Sequence, residues 1–386
     1  MSDSKEFDLL IKNIQVVRPG GNAPEDADIG IKDGRFAKIG PNLSADAAAS
    51  VYDGQGYLAF PGLVDAHMHT GIYSPLAEDA ITESRAAAMG GVTSSLNYIR
   101  TGGYYLNKGG PYAEFMPEVL DISEGRFHVD YCYHVAPMDK QHISEIPSLI
   151  NDFGVTSFKI YMFYGSHGLH GRSSDQSEFL KIGKDEKYDI AHFEFVMRGI
   201  QSAMEQNPDK ADDISLSLHC ETAEIMTAYT KIVEDEGKLQ GLPAYSASRP
   251  PHSEGLAIFI ASYLANETEL PNINLLHLTS RKAVVAALQM ANVFPHINFR
   301  REVTIGHLML DTDAPTGCLA KVNPPIRPRE DVEFLWENLL EGNLDWVCSD
   351  HACCKHEMKV DGENPGDIFL AKSGFGGTEY MLSALA

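Results

Sequence analysis

The stretch FPGLVDAHMHT, Phe60 to Thr70, carries two histidines one residue apart at the end of an apolar run. Side chains alternate between the two faces of a β-strand, so His67 and His69 are predicted to point the same way. Two neutral imidazoles on one face at a strand end are a common beginning of a metal site. The pair also has a plainer explanation, in which one histidine caps the strand and the other is solvated. The remainder of the chain therefore has to supply further ligands if the site binds metal.

Beyond Pro61, short apolar runs alternate with longer segments of helical periodicity. The apolar runs predicted to be strands are VTSSLNYI, FHVDYCYHVAP, VTSFKIYMFY, ISLSLHCE, INLLHLTS and LDWVCSDHA. The segments between them, such as DAITESRAAAMGG and RKAVVAALQMAN, are predicted to be helices. Repeated strand–helix units predict an α/β fold with a parallel sheet, and about eight units predict a (β/α)8 TIM barrel over residues 58–386.

The N-terminal segment has a different pattern. Residues 7–60 alternate apolar and polar positions around glycine-containing turns, and Asp33-Gly34 is a typical two-residue hairpin turn. Residues 1–57 are therefore predicted to form a small β-unit outside the barrel.

Side chains that bind metals occur at the ends of several predicted strands, where barrel enzymes carry their active sites. They are His67, His69, Lys159, His219, His277 and Asp350. Each has an ordinary structural explanation by itself, since a histidine can be a hydrogen-bonded core residue and an aspartate a helix N-cap. A lysine inside an apolar strand is harder to explain in this way, because burying an unpaired ammonium group is costly. The coincidence of all six predicts a metal centre.

The composition restricts the classes of partner. The formal net charge of −23, from 54 acidic and 31 basic residues, argues against nucleic acid or an anionic membrane, because both bind basic surfaces. No apolar run approaches the roughly 18 residues of a membrane span, and MSDSKEFDLL lacks the features of a signal peptide. The six cysteines show no disulfide-like spacing. We therefore expect a cytoplasmic protein with reduced thiols and a small-molecule partner.

The order of these motifs along the chain resembles the amidohydrolase superfamily, and within it the cyclic amidohydrolases: hydantoinases, dihydropyrimidinases, allantoinases and dihydroorotases. The motifs that carry the resemblance are PGLVDAHMHT, RAAAMGGVTS, FKIYMFY, HCETAE, SRPPHSEGLA, HLTS, EVTIGHLML, KVNPPIRP and SDHA. The resemblance covers nearly the whole chain and implies a TIM barrel with a small β-sandwich, to which the N-terminal segment contributes one part. Family members usually continue with strands that complete this sandwich, so we expect the chain to be a C-terminally truncated fragment.

The resemblance also implies the composition of the metal centre. It predicts two divalent metal ions, best matched by Zn2+, which are bridged by Lys159 after carboxylation of this residue by CO2. The remaining ligands that it assigns are His67, His69 and Asp350 for the more buried metal, and His219 and His277 for the second metal.

The reaction implied by the family is hydrolysis of a cyclic amide by a hydroxide held between the metals, which opens the ring to an N-carbamoyl or amido acid. Asp350 would act as general acid and base, and Tyr164 would stabilise the oxyanion. Asn323 and Gly376 match positions that contact the substrate in the family. Judged from the residues alone, Tyr164 has the alternative explanation of an aromatic residue at the rim, and Asn323 is equally explained as a turn former before Pro-Pro.

The substrate ring is not determined by the motifs. The arginine that dihydroorotases carry after His-x-His is absent at Thr70-Gly71, and the continuation also differs from those of allantoinases and hydantoinases. A hydantoin, a dihydropyrimidine or a related imide is the expected substrate. The alternatives are a hydrolase of another bond, such as an acyclic amide or a lactone, and a non-catalytic adaptor, although adaptors of this superfamily have lost metal ligands.

The role of one long segment and the oligomeric state are also matters for prediction. A long segment at 165–188 contains His167, His170 and Arg172, and it is either a lid over the substrate or a solvated surface. The family resemblance also implies a homodimer or homotetramer.

Overall fold

The computed structural model describes residues 5–20, 23–165, 168–169, 180–361, 363–364 and 366–386. His167, His170 and Arg172 lie outside the described residues. The chain folds into two compact units, Met1–Leu63 and Val64–Ala386.

The N-terminal unit contains a single five-stranded sheet within its described residues. Its strands are β1 (Phe7–Val16), β2 (Glu25–Lys32), β3 (Arg35–Gly40), β4 (Ala48–Asp53) and β5 (Leu58–Ala59). Strand β1 pairs antiparallel with β2 and parallel with β4 and β5. The predicted hairpin turn joins β2 to β3, and Asp33 (φ 51°) and Gly34 (φ 71°) both adopt the left-handed conformation that this kind of turn requires.

The second unit is built on eight parallel strands among the described residues. They are β6 (Leu63–Met68), β7 (Val92–Ile99), β8 (Asp130–Val135), β9 (Ser157–Tyr161), β10 (Ser215–His219), β11 (Asn272–Leu275), β12 (Asn298–Thr304) and β13 (Trp346–Cys348). Neighbours in the sheet are also neighbours in sequence, from β6 to β13. The sheet nearly closes, because Met68 bridges to His351 and the N–H of His69 donates to the His351 carbonyl at 2.7 Å. The predicted TIM barrel is therefore confirmed.

Helices connect the strands, as the alternating pattern predicts. Within the described residues they are α1 (Leu76–Met89), α2 (Tyr112–Ser123), α3 (Lys140–Phe153), α4 (Ile190–Gln206), α5 (Ala223–Glu236), α6 (Gly241–Ser248), α7 (Pro251–Glu267), α8 (Arg281–Val293), α9 (Ile305–Met309), α10 (Arg329–Leu340) and α11 (Met381–Leu385). Short 3-10 turns occur at Ala45–Ala47, Met162–Gly165, Ala211–Asp213, Gly317–Ala320, His356–Met358 and Thr378–Tyr380. Asp139, Asp189 and Ser280 cap α3, α4 and α8, because their side chains accept backbone N–H groups of the first turn. None of the helices described is both long enough and apolar enough to cross a membrane.

The strands divide their side chains between the barrel interior and the helix layer. In β9, Phe158 and Ile160 are fully buried in the main hydrophobic core. Lys159 lies between them in sequence and therefore points to the opposite face, into the barrel, where it meets His67. The register aligns Lys159 with Ser217 of β10. This alternation explains how a charged residue occupies an otherwise apolar strand.

Candidate metal centre

Four of the six predicted ligands meet at the carboxyl ends of the barrel strands. The Nε2 atoms of His67 and His69 lie 3.0 and 3.1 Å from Oδ1 of Asp350. The Nζ atom of Lys159 lies 2.5 Å from Nε2 of His67 and 3.5 Å from Nε2 of His69. All four side chains are buried or nearly so, and Lys159 is completely shielded from solvent.

Burial and mutual charges shift the pKa values of these groups strongly. Burial lowers the pKa of Lys159 to about 8 and that of His69, which also faces the Lys159 charge, to about 3. For His67, burial is outweighed by the charges of Asp350 and Glu302, which raise the pKa to about 9. Burial alone would raise the pKa of Asp350, but His67 and His69 hold it well below its usual value. Asp350 is therefore ionised at neutral pH.

The other two predicted ligands lie beside this group. The ring centroids of His219 and His277 are 4.3 Å apart, and His277 lies 5.6 Å from His67. The Nδ1 atoms of His219 and His277 are both buried and have no hydrogen-bond partner among the described residues. A buried imidazole nitrogen without a partner is costly unless a ligand binds it. Nitrogen and carboxylate oxygen donors in this number match the ligands that Zn2+ binds, so the side chains present are suited to a metal.

The backbone at two of these positions adopts a conformation that side chains rarely take. His277 has φ 37° and Asp350 has φ 50°, both in the left-handed region. Each residue follows closely after the end of its strand, β11 and β13 respectively. Backbone strain of this kind concentrates at functional sites, where the surrounding structure maintains it.

Several residues that the sequence did not indicate contact the candidate ligands. Tyr105 Oη lies 2.9 Å from Nδ1 of His69, and Tyr161 Oη lies 3.2 Å from Nε2 of the same ring. Oε1 of Glu302 lies 2.9 Å from Nδ1 of His67. Tyr161 could have been found from sequence, because it follows Lys159 by two residues in the same strand and shares its face.

A buried ion pair orients His219. Its Nε2 lies 2.6 Å from Glu221, and Glu221 accepts hydrogen bonds from the guanidinium of Arg249, one of them from Nε at 2.9 Å. Burial raises the pKa of Glu221, but Arg249 and His219 together lower it to about 2. Glu221 is therefore a carboxylate that accepts the Nε2 proton of His219, which leaves Nδ1 as the nitrogen available for a ligand.

Tyr164 is separated from the histidines by Tyr161. The two tyrosine rings stack with centroids 4.8 Å apart, and Tyr161 is the one whose hydroxyl reaches His69. The guanidinium of Arg100 lies 5.4 Å from the Tyr164 ring and 5.9 Å from that of Tyr105. Tyr164 is thus a buried neighbour of the centre, and its contact with an oxyanion stays a prediction.

Asn323 and Gly376 differ in their distance from the candidate ligands. A small cavity of about 30 Å3 connects Asn323 with His69, Tyr161 and Asp350. The Asn323 side chain donates to the Leu169 carbonyl at 2.7 Å and accepts from Tyr245 at 2.5 Å. Gly376 lies instead beside the side chains of His351 and Glu379. The substrate contacts of both residues stay predictions.

We compared the chain with protein families and with proteins of known function. No family model matches the chain. An allantoinase of Rubrobacter xylanophilus is 30% identical over 389 aligned positions, which cover 98% of this chain and 75% of that protein. An allantoinase of Escherichia coli O1:K1 is 29% identical, and the alignment covers 98% of this chain and 76% of that protein.

Solved structures resemble the fold at lower sequence identity. The L-hydantoinase (dihydropyrimidinase) from Arthrobacter aurescens has a TM-score of 0.78 at 24% identity, and the superposition covers 98% of this chain and 76% of that one. The dihydropyrimidinase from Brevibacillus agri NCHU1002 has a TM-score of 0.77 at 24% identity, with 97% of this chain and 75% of that one covered. Both likenesses extend over the N-terminal sheet and the barrel.

Proposed function

Because the chain belongs to the cyclic amidohydrolase branch of the amidohydrolase superfamily, we propose that it hydrolyses a cyclic amide at a centre of two divalent metal ions. The observation that carries this proposal is the meeting of ligand side chains from distant parts of the barrel. Lys159 Nζ and Asp350 Oδ1 each lie within 3.5 Å of the Nε2 atoms of both His67 and His69. The Nδ1 atoms of His219 and His277, which have no hydrogen-bond partner in the described part of the chain, support a second metal beside the first.

Lys159 is proposed to bridge the two metals after reaction with CO2. Its pKa of about 8 leaves roughly a tenth of the amine unprotonated at pH 7, far more than in an exposed lysine. The lone pair of this neutral amine attacks the carbon of CO2 and forms a nitrogen–carbon bond, and the nitrogen releases one proton. The product is a carbamate with one negative charge shared by two oxygens. Carboxylation thereby replaces a buried cation, which is costly, with an anion that offers two ligand atoms.

The ligand types support Zn2+, although Mn2+, Fe2+ and Co2+ also bind histidine and carboxylate groups. His67, His69 and Asp350 would hold one ion, His219 and His277 the other, and Lys159 both. Bound there, the ions would lower the pKa of a water molecule and polarise the substrate carbonyl.

The chain itself supplies the proton transfer. Asp350 is held in its ionised form by the two histidines beside it, so it is able to accept a proton from the attacking water. When the carbon–nitrogen bond of the ring breaks, the same carboxyl group returns this proton to the leaving nitrogen. The water oxygen stays on the carbon as a carboxylic acid, which becomes a carboxylate by releasing the second proton of the water to solvent, and the open chain carries the new N–H.

A tyrosine hydroxyl is proposed to donate a hydrogen bond to the oxyanion. Burial raises the pKa of both Tyr161 and Tyr164, so each keeps its proton at neutral pH. The family motif assigns this role to Tyr164. The distance of 3.2 Å from Tyr161 Oη to His69 supports Tyr161 as the alternative donor.

The ring substrate that we propose is a hydantoin or a related cyclic ureide. The relatives of highest identity reported above are named allantoinases, and the structures with the same fold are named hydantoinases or dihydropyrimidinases. Allantoin and hydantoin share a five-membered ring with two amide nitrogens, which makes this ring the first choice for a substrate test.

Metal analysis combined with a substrate panel tests the proposal. The protein is purified without chelator in the presence of bicarbonate, and its metal content is measured by elemental analysis. The same sample is incubated with hydantoin, allantoin, dihydrouracil, dihydroorotate and a simple cyclic imide. We expect about two metals per chain and turnover of at least one ring, and a strong loss of both in Lys159→Ala.

Lys359→Met is the matched control for this experiment. Lys359 is also a buried lysine, and burial also lowers its pKa to about 8, but its Nζ donates to the Lys321 carbonyl at 2.9 Å. Metal content is therefore expected to survive in Lys359→Met. Wild-type protein with neither metal nor turnover would contradict the enzyme proposal and favour the non-catalytic adaptor. Homo-oligomerisation and a cytoplasmic location stay predictions, which sedimentation and fractionation experiments would test.

A further inference from the structure

Glu302 connects its own strand by hydrogen bonds to three other parts of the barrel: β6, β13 and the segment that follows β11. It lies in β12, within the motif EVTIGHLML, and it is fully buried. Its Oε1 lies 2.9 Å from Nδ1 of His67 and accepts the backbone N–H of His277 at 3.0 Å. Its Oε2 accepts the indole N–H of Trp346 in β13 at 3.0 Å.

We propose that Glu302 is a positioning residue that holds one ligand histidine of each metal, His67 by its side chain and His277 by its backbone. The inference rests on the proposed metal centre and adds a residue that no ligand assignment includes. A carboxylate only accepts hydrogen bonds, so the neutral ring of His67, the form that binds a metal, must carry its one proton on Nδ1. The lone pair then lies on Nε2, the nitrogen that faces Lys159 and Asp350. Glu302 thereby fixes both the tautomer and the orientation of this ring.

The contact with His277 acts on the backbone. His277 has a φ of 37°, which side-chain-bearing residues adopt only when the surroundings hold them there. The hydrogen bond from its N–H to Glu302 supplies such a restraint at the residue itself. Loss of Glu302 would release this conformation and move the ring that carries the unpartnered Nδ1.

Another buried glutamate of the same unit, Glu254, has the hydrogen-bond partners expected of a carboxylate that only stabilises the fold. Glu254 pairs with the guanidinium of Arg327 at 2.8 Å and accepts hydrogen bonds from Thr279 and Ser280. The donors to Glu302 include instead two predicted metal ligands, His67 and His277. This difference in partners distinguishes a role in positioning from a role in stability.

A cavity gives experimental access to Glu302 from the side opposite the ligands. Glu302 and Trp346 line a cavity of about 550 Å3, which also reaches Ser157 and Ser215, the first residues of β9 and β10. A small carboxylate such as formate could therefore occupy the place of the glutamate carboxylate in Glu302→Ala. This allows chemical rescue without any further substitution.

The test measures metal release rather than activity. Wild type, Glu302→Ala and Trp346→Phe are loaded with Zn2+ in bicarbonate, and the loss of zinc to a chelator is followed by elemental analysis. We expect Glu302→Ala to release zinc about 10- to 100-fold faster than wild type, because removal of an outer-shell partner typically weakens metal affinity by this factor. Trp346→Phe removes only the donor to Oε2, so its release rate is expected to stay within about threefold of wild type. Circular dichroism and thermal melting establish that each variant is folded.

Added formate distinguishes two explanations of faster zinc release: loss of the carboxylate that positions the ligands, and general damage to the barrel. Added formate is expected to slow zinc release in Glu302→Ala, whereas chloride at the same ionic strength is not. Should Glu302→Ala fail to fold, Glu302→Gln is measured instead and is expected to release zinc at least threefold faster than wild type, because a neutral amide is a weaker acceptor than a carboxylate.

Each outcome decides the inference. Wild-type protein that binds two metals, together with Glu302→Ala or Glu302→Gln that retains them equally well, would overturn the role of Glu302 and leave the proposed function intact. Accelerated release that formate does not slow in folded Glu302→Ala would also overturn it, since general loosening of the barrel would then explain the effect. Wild-type protein without metal would refute the proposed function and the inference with it.

Discussion

Carboxylation of Lys159 should follow the ionisation of a lysine whose pKa is unusually low. The perturbation is a change of pH applied to metal-free protein at constant dissolved CO2. Burial lowers the pKa of Lys159 from 10.5 to about 8, and only the neutral amine attacks CO2. The rate of carbamate formation is therefore expected to rise as pH approaches 8 and to level off above it.

The size of the effect follows from the two pKa values. At pH 7, an amine with a pKa of 8 is about 9% neutral, whereas one with a pKa of 10.5 is about 0.03% neutral. The buried environment therefore increases the reactive fraction about 300-fold at this pH. Below pH 7 the rate should fall about tenfold for each pH unit, because the neutral fraction falls by that factor.

Carbon-13 NMR with labelled CO2 measures this rate by saturation transfer between CO2 and the carbamate signal. Lys159→Ala identifies the signal by its loss, and Lys359→Met controls for another buried lysine with a similar pKa. A rate that keeps rising up to pH 10 or beyond would show that Lys159 ionises like an exposed lysine. Burial of Lys159 would then not account for its reactivity toward CO2.

Three further predictions concern the centre and its surroundings. Tyr161→Phe and Tyr164→Phe are compared by kcat, and the residue that donates to the oxyanion should show a loss of about 100- to 1,000-fold; losses below threefold in both would contradict a tyrosine donor. Glu254→Ala should lower the free energy of unfolding by about 3–5 kcal/mol in urea titrations, because the buried charge of Arg327 loses its carboxylate partner, while metal content per folded chain stays unchanged. Restoring zinc and bicarbonate to chelated protein should raise the melting temperature, with about 4 kcal/mol of stabilisation at a free metal concentration 1,000 times Kd; a melting temperature that does not respond to zinc would argue against a resident metal.

The sequence by itself predicted the barrel and the ends of its strands. Short apolar runs located seven of the eight barrel strands, and the carboxyl ends of parallel strands lie at the same end of a barrel. The sequence did not indicate β12 (Asn298–Thr304), the strand that carries Glu302. Residues as far apart in sequence as His67 and Asp350 could therefore be assigned to one place before any contact was known. Lys159 was recognisable because an apolar strand rarely contains a charge without a reason.

Only the tertiary structure decided which side chains surround these residues. Glu302 reaches His67 across 235 positions of sequence, and the contact exists because the strands of the barrel bring the two side chains into its interior. Spacing from Lys159 directed attention to Tyr164, whereas ring packing places the hydroxyl of Tyr161 beside His69. Periodicity gives the face on which a side chain lies, but the direction of a ring and its hydrogen-bond partner depend on how neighbouring strands pack. That packing is the sum of many long-range contacts, and a local pattern of sequence does not contain it.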